Sequence, residues 1–378
     1  MTENEKTILW LRLTRTAGIG PVLIRRLYEH FGSVEGIFGA SEKGFHAVEG
    51  IRHVVAKDLN SPEHLEFAKA ELERCAREGV EIITFDSPAY PKNLAAIPDP
   101  PPVLYVKGRL EKEDERSIAM VGSRNHNEYA EVMAKRLGSG LARFGLTVVS
   151  GLARGIDSLS QQAALDAGGR SIAVLGTGVD VIYPPESKKL YFQLIERGAV
   201  LSEFPLGTHP ARENFPHRNR LIAGLALGVV LVQANNPQSG ALITVKLALE
   251  QGRTVYAVPG NAGTQWSRET NRLLKKGAVL VEDAEDIVAD LFPQLLDRPG
   301  ELGPLFSSTG KKVEFDDQKE KLYSLIPEPE EGFIELDQLI RKSGMDAGKV
   351  QSLLIELELF GVIEKLAGGK WRKKKLQT

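Results

Sequence analysis

Four short segments place small, hydroxyl-bearing and basic residues where an apolar run gives way to a helical one. In "MVGSRNHNEYA", Gly122 lets the backbone turn, Ser123 offers a hydroxyl and Arg124 a fork of donors. In "VSGLARGID", Ser150, Gly151, Arg154 and Gly155 follow the run "LTVV". In "FPHRNRLIAG", Arg218, Asn219 and Arg220 stand at the edge of an apolar helix, with Phe215 and His217 beside them. In "NNPQSGALITVKLALEQG", Ser239 and Gly240 open a helix that carries Thr244 and, further in, Lys246. Free amides at a helix start, hydroxyls and guanidinium groups together make anion-binding chemistry. Any one segment has a purely structural alternative, because a tight turn needs glycine and an arginine at a helix edge is often solvated or ion-paired. Four of them opening onto one face would form a basic groove.

Other chemistries find little support. "LGTGVDVIYP" has Gly176 and Gly178 but Val181 where the dinucleotide fingerprint needs a third glycine, and there is no phosphate-loop lysine motif. There is no G-x-S-x-G elbow and no H-E-x-x-H. The seven histidines are scattered without metal-ligand spacing. Asp157, Glu203 and Glu250 could lie near the groove, where pairing with its arginines competes with an acid–base role. No catalytic residue, metal or cofactor is expected.

The elements that would position these residues form three textures. Residues 1–60 read as helical. There Gly18-Ile19-Gly20 before Pro21 makes a tight turn, and Val22, Ile24, Leu27, Tyr28 and Phe31 follow at helical spacing. That turn is either a helix-hairpin-helix element, with amides facing a phosphate, or a packing module. Residues 61–292 alternate strand-like and helix-like runs. The strands expected are "VEIITF", "SIAMVG", "LTVVSG", "SIAVLG", "AVLSEF", "GVVLVQA", "TVYAVPG" and "AVLVE". This pattern predicts a mostly parallel, Rossmann-like α/β sheet covered on both faces, with ligands at the carboxyl ends of its strands. The proline-rich "PAYPKNLAAIPDPPPVLYVKG" is expected to lie irregularly on the surface. Residues 293–312 read as a linker. Residues 313–378 read as three helices and a glycine-turned hairpin around Gly368-Gly369, a winged helix.

Composition sets the frame. A chain of 378 residues, 42% hydrophobic and 26% charged, calls for two or three domains. Its net charge of -2 leaves anion binding to local clusters rather than a global field. The one cysteine, Cys75, excludes an intrachain disulfide, suits a reducing cytoplasmic location and reads as a buried thiol. The N-terminal apolar run is too short for a signal peptide, and "LIAGLALGVVLV" is too short to cross a bilayer; it reads as a helix end followed by a buried strand. No membrane association is expected.

In order along the chain, "VGSR", "VSGLARGID", "IAVLGTGVDVIYP", "LSEFPLG", "FPHRNRLIAGLA", "SGALIT" and "AVPG" resemble the bacterial DNA-processing protein A family (DprA/Smf). The resemblance covers most of residues 80–285, and the flanking helical and winged-helix regions suit it. It implies a non-enzymatic, homodimeric protein of natural transformation that binds and shields single-stranded DNA and helps load a RecA-type recombinase. Carried over by position, the DNA groove would be lined by Ser123, Arg124, Ser150, Gly151, Arg154, Gly155, Phe215, Arg218, Asn219, Arg220, Ser239, Gly240 and Thr244, with Lys246 a weaker member. Three positions depart from the family's habit: Gln161 stands where a histidine is common, Gln233 where a glutamate is, and Glu269 where a glycine is. A contiguous row of basic turns suits a polymer better than a free nucleotide. Phe215 would stack on a base or pack beneath the loop, and little sequence preference is expected.

A competing enzyme reading rests on "SGALITVKLALEQG", which is similar to a motif of nucleoside-monophosphate phosphoribohydrolases; there Glu250 and Arg124 would serve catalysis. The double glycine of that motif is missing. A third reading makes the chain a scaffold acting through its winged helix. In that last region Gly344 should end one helix and Asp346 cap the next, with Leu353, Leu354, Leu357 and Phe360 as the apolar stripe. From Lys365 onward the tail carries Lys365, Lys370, Arg372, Lys373, Lys374 and Lys375, while the recognition-helix positions are acidic. Major-groove reading is therefore not expected.

Overall fold

Strand after strand in the middle of the chain alternates its side chains between two apolar cores. The computed structural model describes residues 1–51, 58–295, 317–327, 332–359, 363–366 and 370–373. Nine strands form one sheet: β1 (Glu81–Thr84), β2 (Val103–Gly108), β3 (Ser117–Gly122), β4 (Thr147–Ser150), β5 (Ser171–Val174), β6 (Gly198–Ser202), β7 (Gly228–Gln233), β8 (Thr254–Ala257) and β9 (Val279–Leu280). Their order is β1-β2-β6-β5-β4-β3-β7-β8-β9. From β6 to β9 all neighbours are parallel, and β1 and β2 add an antiparallel margin. In β7, Val229 and Leu231 enter one core while Val230 and Val232 enter the other, all at most 3% exposed. A strand buried on both faces must be apolar at every position, and "GVVLVQ" is apolar up to its final glutamine.

Helices cover both faces. They are α1 (Glu3–Arg15), α2 (Pro21–Phe31), α3 (Val34–Gly39), α4 (Glu42–His46), α5 (Pro62–Glu78), α6 (Lys92–Ala95), α7 (Glu128–Arg143), α8 (Ile156–Asp166), α9 (Lys188–Arg197), α10 (Asn214–Leu225), α11 (Gly240–Glu250), α12 (Arg268–Lys275) and α13 (Ala284–Leu291). Residues of α10 and α11 share a core with one face of the sheet. Residues of α7, α8 and α13 share a core with the other. "LIAGLALGVVLV" divides as expected, with α10 ending at Leu225 and β7 starting at Gly228.

All eight expected strands are present. The ninth, β2, lies inside the proline-rich segment expected to be irregular. Pro100, Pro101 and Pro102 stop short of Val103, so they take no ladder position, and Val103 to Val106 are buried. The N-terminal helices are not a free-standing body either. Trp10, Leu27 and Cys75 share one apolar core with Tyr105 of β2 and Val200 of β6. Trp10 Nε1 donates to Asp86 Oδ1 at 2.8 Å. The chain divides into two compact units, residues 1–302 and 303–378, with the helical start belonging to the first. In the Gly18-Ile19-Gly20 turn, Gly18 has φ +80° and Pro21 opens α2. Burial pushes the Cys75 thiol up to about 12.

In the second unit, α14 (Asp317–Ser324), α15 (Leu336–Ser343) and α16 (Ala347–Leu359) pack with strands β10 (Ile334–Glu335), β11 (Ile363–Leu366) and β12 (Lys370–Lys373). The strand order β10-β12-β11 is that of a winged helix, with β10 not foreseen. Gly344 ends α15 in the left-handed conformation, and Asp346 Oδ1 accepts from Lys349 N at 3.0 Å. Leu353, Leu354 and Leu357 are buried. Lys370 and Lys373 stand over the rings of Phe333 and Tyr323, at 3.9 and 4.8 Å, so two of the tail's cations are held by their own domain. Phe360, the Gly368-Gly369 turn, Lys374, Lys375 and most of the expected linker lie outside the described residues, as do 52–57 at the end of the helical module.

Leu104 of β2 is fully buried. Leu104→Ala is expected to destabilise the first unit by about 2–5 kcal/mol in urea unfolding; a change below about 0.5 kcal/mol would mean this strand is not in the core.

Candidate functional site

The sheet reverses its winding between β3 and β7, because the chain runs outward through β4, β5 and β6 before returning to the other side of β3. At such a point the loops beyond adjacent strands diverge and leave a crevice. Here the crevice is a cleft of about 620 Å³. A register shift between Val121 and Gly122 moves the last pair of the ladder to Gly122 and Gln233, and Ser123 N donates to Gln233 O at 2.9 Å. The next residue, Arg124, projects into the cleft mouth.

Eight of the fourteen expected residues line this cleft: Ser123, Arg124, Phe215, Arg218, Asn219, Ser239, Gly240 and Thr244. Arg124 is exposed and has no ion-pair partner among the described residues. Ser239 makes no side-chain cap on α11, and Gly240 and Ala241 at the start of that helix line the cleft. Asn219 is buried and ties α10 to Gly240 O at 3.4 Å.

Arg218 lies in the floor. It is 5% exposed and donates to Gly151 O at 3.0 Å and to Val174 O, beside the Asp157 carboxylate. Asp157 also accepts from Gly151 N at 3.0 Å. A Cβ on Gly151 would sit 2.6 Å from the Arg218 guanidinium and 2.8 Å from the Asp157 carboxylate, which is why glycine stands there. Burial pulls Arg218 down to about 10, against the pull of Asp157, and Arg124 adds repulsion from nearby. Arg218 thus stays cationic at neutral pH. Burial raises Asp157 against the opposing pull of Arg218.

The other six expected residues are placed differently. Ser150 is fully buried and its hydroxyl is spent on Met120 O at 2.6 Å. Gly151 is the buried spacer just described. Gly155, at φ +77°, lies against the Ser123 and Arg124 carbonyls, so a Cβ would be 2.4 Å from the first of them. It packs one loop on the other instead of facing a ligand. Arg154 is exposed but paired with Glu186 outside the cleft lining. Arg220 is 3% exposed and is bound to Glu203 and, at 3.3 Å, to Asp99. Its position two residues past Arg218 on α10 turns it into the core, so the expectation that it lines a groove is corrected. Lys246 is exposed on another face of α11 and pairs with Glu250 at 3.5 Å. Neither of those two lines the cleft, so Glu250 and Arg124 do not come together as the phosphoribohydrolase reading requires.

Among the lining residues not foreseen are Tyr183, Arg212, Asn235 and Asn236. Tyr183 is exposed and its ring stands 5.6 Å from that of Phe215, making an aromatic pair at the rim. It stands near the end of "IAVLGTGVDVIYP", and an aromatic beside prolines beyond a strand end was the available signal. Arg212, three residues before Phe215, is exposed and without an ion-pair partner among the described residues. Asp157 is the one carboxylate in the lining, and Arg218 faces it. No group of three or more His, Cys, Asp or Glu is placed to hold a metal among the described residues. No described helix is long and apolar enough to cross a membrane.

A doubly wound sheet with a cationic, aromatic-rimmed cleft at its reversal point, a helical start and a winged-helix end defines the class. The family model described as DNA recombination-mediator protein A matches residues 81–292, the DprA winged helix domain matches 315–369, and the DprA-like N-terminal HHH domain matches 4–39. The chain belongs to the DprA/Smf family. It is 33% identical to Protein Smf of Synechocystis over 98% of this chain and 100% of that one. It is 39% identical to Protein Smf of Escherichia coli over 76% of each. Among solved structures, DprA of Streptococcus pneumoniae superposes with a TM-score of 0.66 at 31% identity, covering 77% of this chain and 98% of that one. DprA of Helicobacter pylori, described for its single-stranded DNA binding mode, gives a TM-score of 0.51 at 28% identity over 57% of this chain and 96% of that one.

The core arginine and the rim arginine should separate in stability measurements. Arg220→Ala leaves Glu203 buried without its cation and is expected to cost about 3–5 kcal/mol. Arg124→Ala, at an exposed unpaired site, should change unfolding free energy by less than about 0.5 kcal/mol.

Proposed function

We propose that the chain binds single-stranded DNA across the reversal-point cleft, shields it, and helps load a RecA-type recombinase, acting as a homodimer without catalytic turnover. The observation that carries this reading is the pairing of charge and aromaticity at one opening. Arg124 and Arg212 are uncommitted cations, α11 presents free amides, and Tyr183 and Phe215 stand together at the rim. Single-stranded nucleic acids are held by that combination, cations on the phosphates and rings on the bases. The Helicobacter pylori relative supports it by the DNA for which its structure is described. The family description as a recombination mediator supports the recombinase role.

Binding of a fluorescent oligo-dT, read by anisotropy across a salt series, tests the proposal. Arg124→Ala and Arg212→Ala should each weaken binding and flatten the log–log salt slope by about 0.7 for every phosphate no longer neutralised. Tyr183→Ala and Phe215→Ala should each cost about 1–3 kcal/mol with the slope unchanged. A chain lacking residues 313–378 should keep its affinity. If that deletion alone abolishes binding while the cleft variants bind normally, the cleft is not the DNA site.

A further inference from the structure

Beyond the cleft, at the carboxyl ends of β7 and β8, lies a second concavity of about 280 Å³. Its walls are Val232, Val258, Pro259, Tyr129 and Trp266, with Asn127 and Gln233 on the side toward the cleft. The chain itself links the two sites. Residues 122–125 and 235–236 line the cleft, and residues 127, 129, 232 and 233 line the second pocket. The pocket is built rather than incidental. Tyr129 OH donates to Pro259 O at 2.9 Å, and the Asn271 side chain makes both bonds to the Gly260 backbone, at 3.2 and 2.8 Å. A Cβ on Gly260 would lie 2.6 Å from Ser267 Cβ, so the loop that roofs the pocket is closely seated.

No lining residue of this pocket carries a charge. A free nucleotide would bring a phosphate with nothing to neutralise it. A base belonging to a strand whose phosphates are held elsewhere brings only a flat π-face and an uncharged edge. Gln233 fits the same demand. Its amide bonds reciprocally with Asn127, whose N donates to Oε1 at 3.2 Å and whose Oδ1 accepts from Nε2 at 2.8 Å. A glutamate at that position would put a negative charge on the passage between the two sites. Trp266 is half-buried, whereas the other two tryptophans, Trp10 and Trp371, are 0% and 6% exposed.

Resting on the DNA-binding reading above, the geometry points to a second base-binding subsite: a nucleobase of the strand leaving the cleft past Asn127 enters this pocket and stacks on Trp266. The subsite lengthens the footprint beyond the Tyr183–Phe215 rim.

The test reads the full-length protein by tryptophan emission and by anisotropy, with oligo-dT of increasing length. DNA binding should quench the accessible emission and shield it from acrylamide, and Trp266→Phe should remove that response while losing less affinity than Trp266→Ala. Trp266→Ala should weaken long oligonucleotides by roughly tenfold and leave the shortest bound ones unaffected. Gln233→Glu should weaken the long ones and flatten their salt dependence. Thymidine alone should neither quench nor compete at concentrations where long oligo-dT saturates. Normal DNA binding with unchanged Trp266 emission, or equal losses for Trp266→Ala at all lengths, would overturn the subsite and leave the cleft reading standing. Quenching by thymidine alone would make it a free-nucleoside pocket and overturn it as part of the track. Absence of any DNA binding would instead remove the cleft reading itself.

Discussion

The burial of Arg218 and Asp157 on either side of Gly151 is the constraint on which the site depends. Two opposite charges are held out of water beneath the cleft, where each would be costly alone. Asp157 belongs to the first turn of α8 and Arg218 to α10, and the guanidinium also holds the carbonyls of Gly151 and Val174 at the ends of β4 and β5. Through those bonds, and the one from Gly151 N to Asp157, the two charges tie the ends of β4 and β5 to α8 and α10. Gly151 leaves room for both charged groups, and Gly155 lets the next loop lie on the backbone that presents Arg124. The rim residues can then be long and exposed while the backbone beneath them is tied by buried hydrogen bonds.

This arrangement separates two tasks that the sequence lists side by side. In "FPHRNR", Phe215 faces the cleft, Arg218 builds its floor and Arg220 neutralises Glu203 in the core. The three share one helical turn or so, yet their environments differ from half-buried to fully buried. Composition and spacing reveal that basic residues gather here. They do not reveal which guanidinium faces water, because that depends on the rotation of α10 against the sheet. The same limit explains Lys246, which shares α11 with Thr244 but points to another face. The acidic partners were legible as candidates: Glu203 pairs with Arg220, and Asp157 is buried near Arg218.

The fold was more legible than the site. Eight strands announced themselves because two-sided burial demands unbroken apolar runs, as in "GVVLVQ" and "SIAMVG". The exception was "VLYVKG", where three prolines immediately upstream gave a loop-like texture to a segment whose ladder begins one residue later. Tyr183 and Arg212 were not legible because they lie in loops, where no periodicity marks the inward side. The helical start looked separable by texture, yet its Trp10 face had no core of its own to fill and shares one with β2 and β6.

That sharing has a consequence for the margins of the sheet. An open margin offers unpaired amides and carbonyls to any other extended chain, which is the usual route to sheet-on-sheet polymerisation. At one border, α1 and α5 press against β1, and the Trp10 indole is fastened to the corner just after that strand. At the opposite border β9 is only two residues long. A nine-stranded sheet thus ends on one side under helices and on the other in a stub, and neither side gives a stray strand much to zip onto.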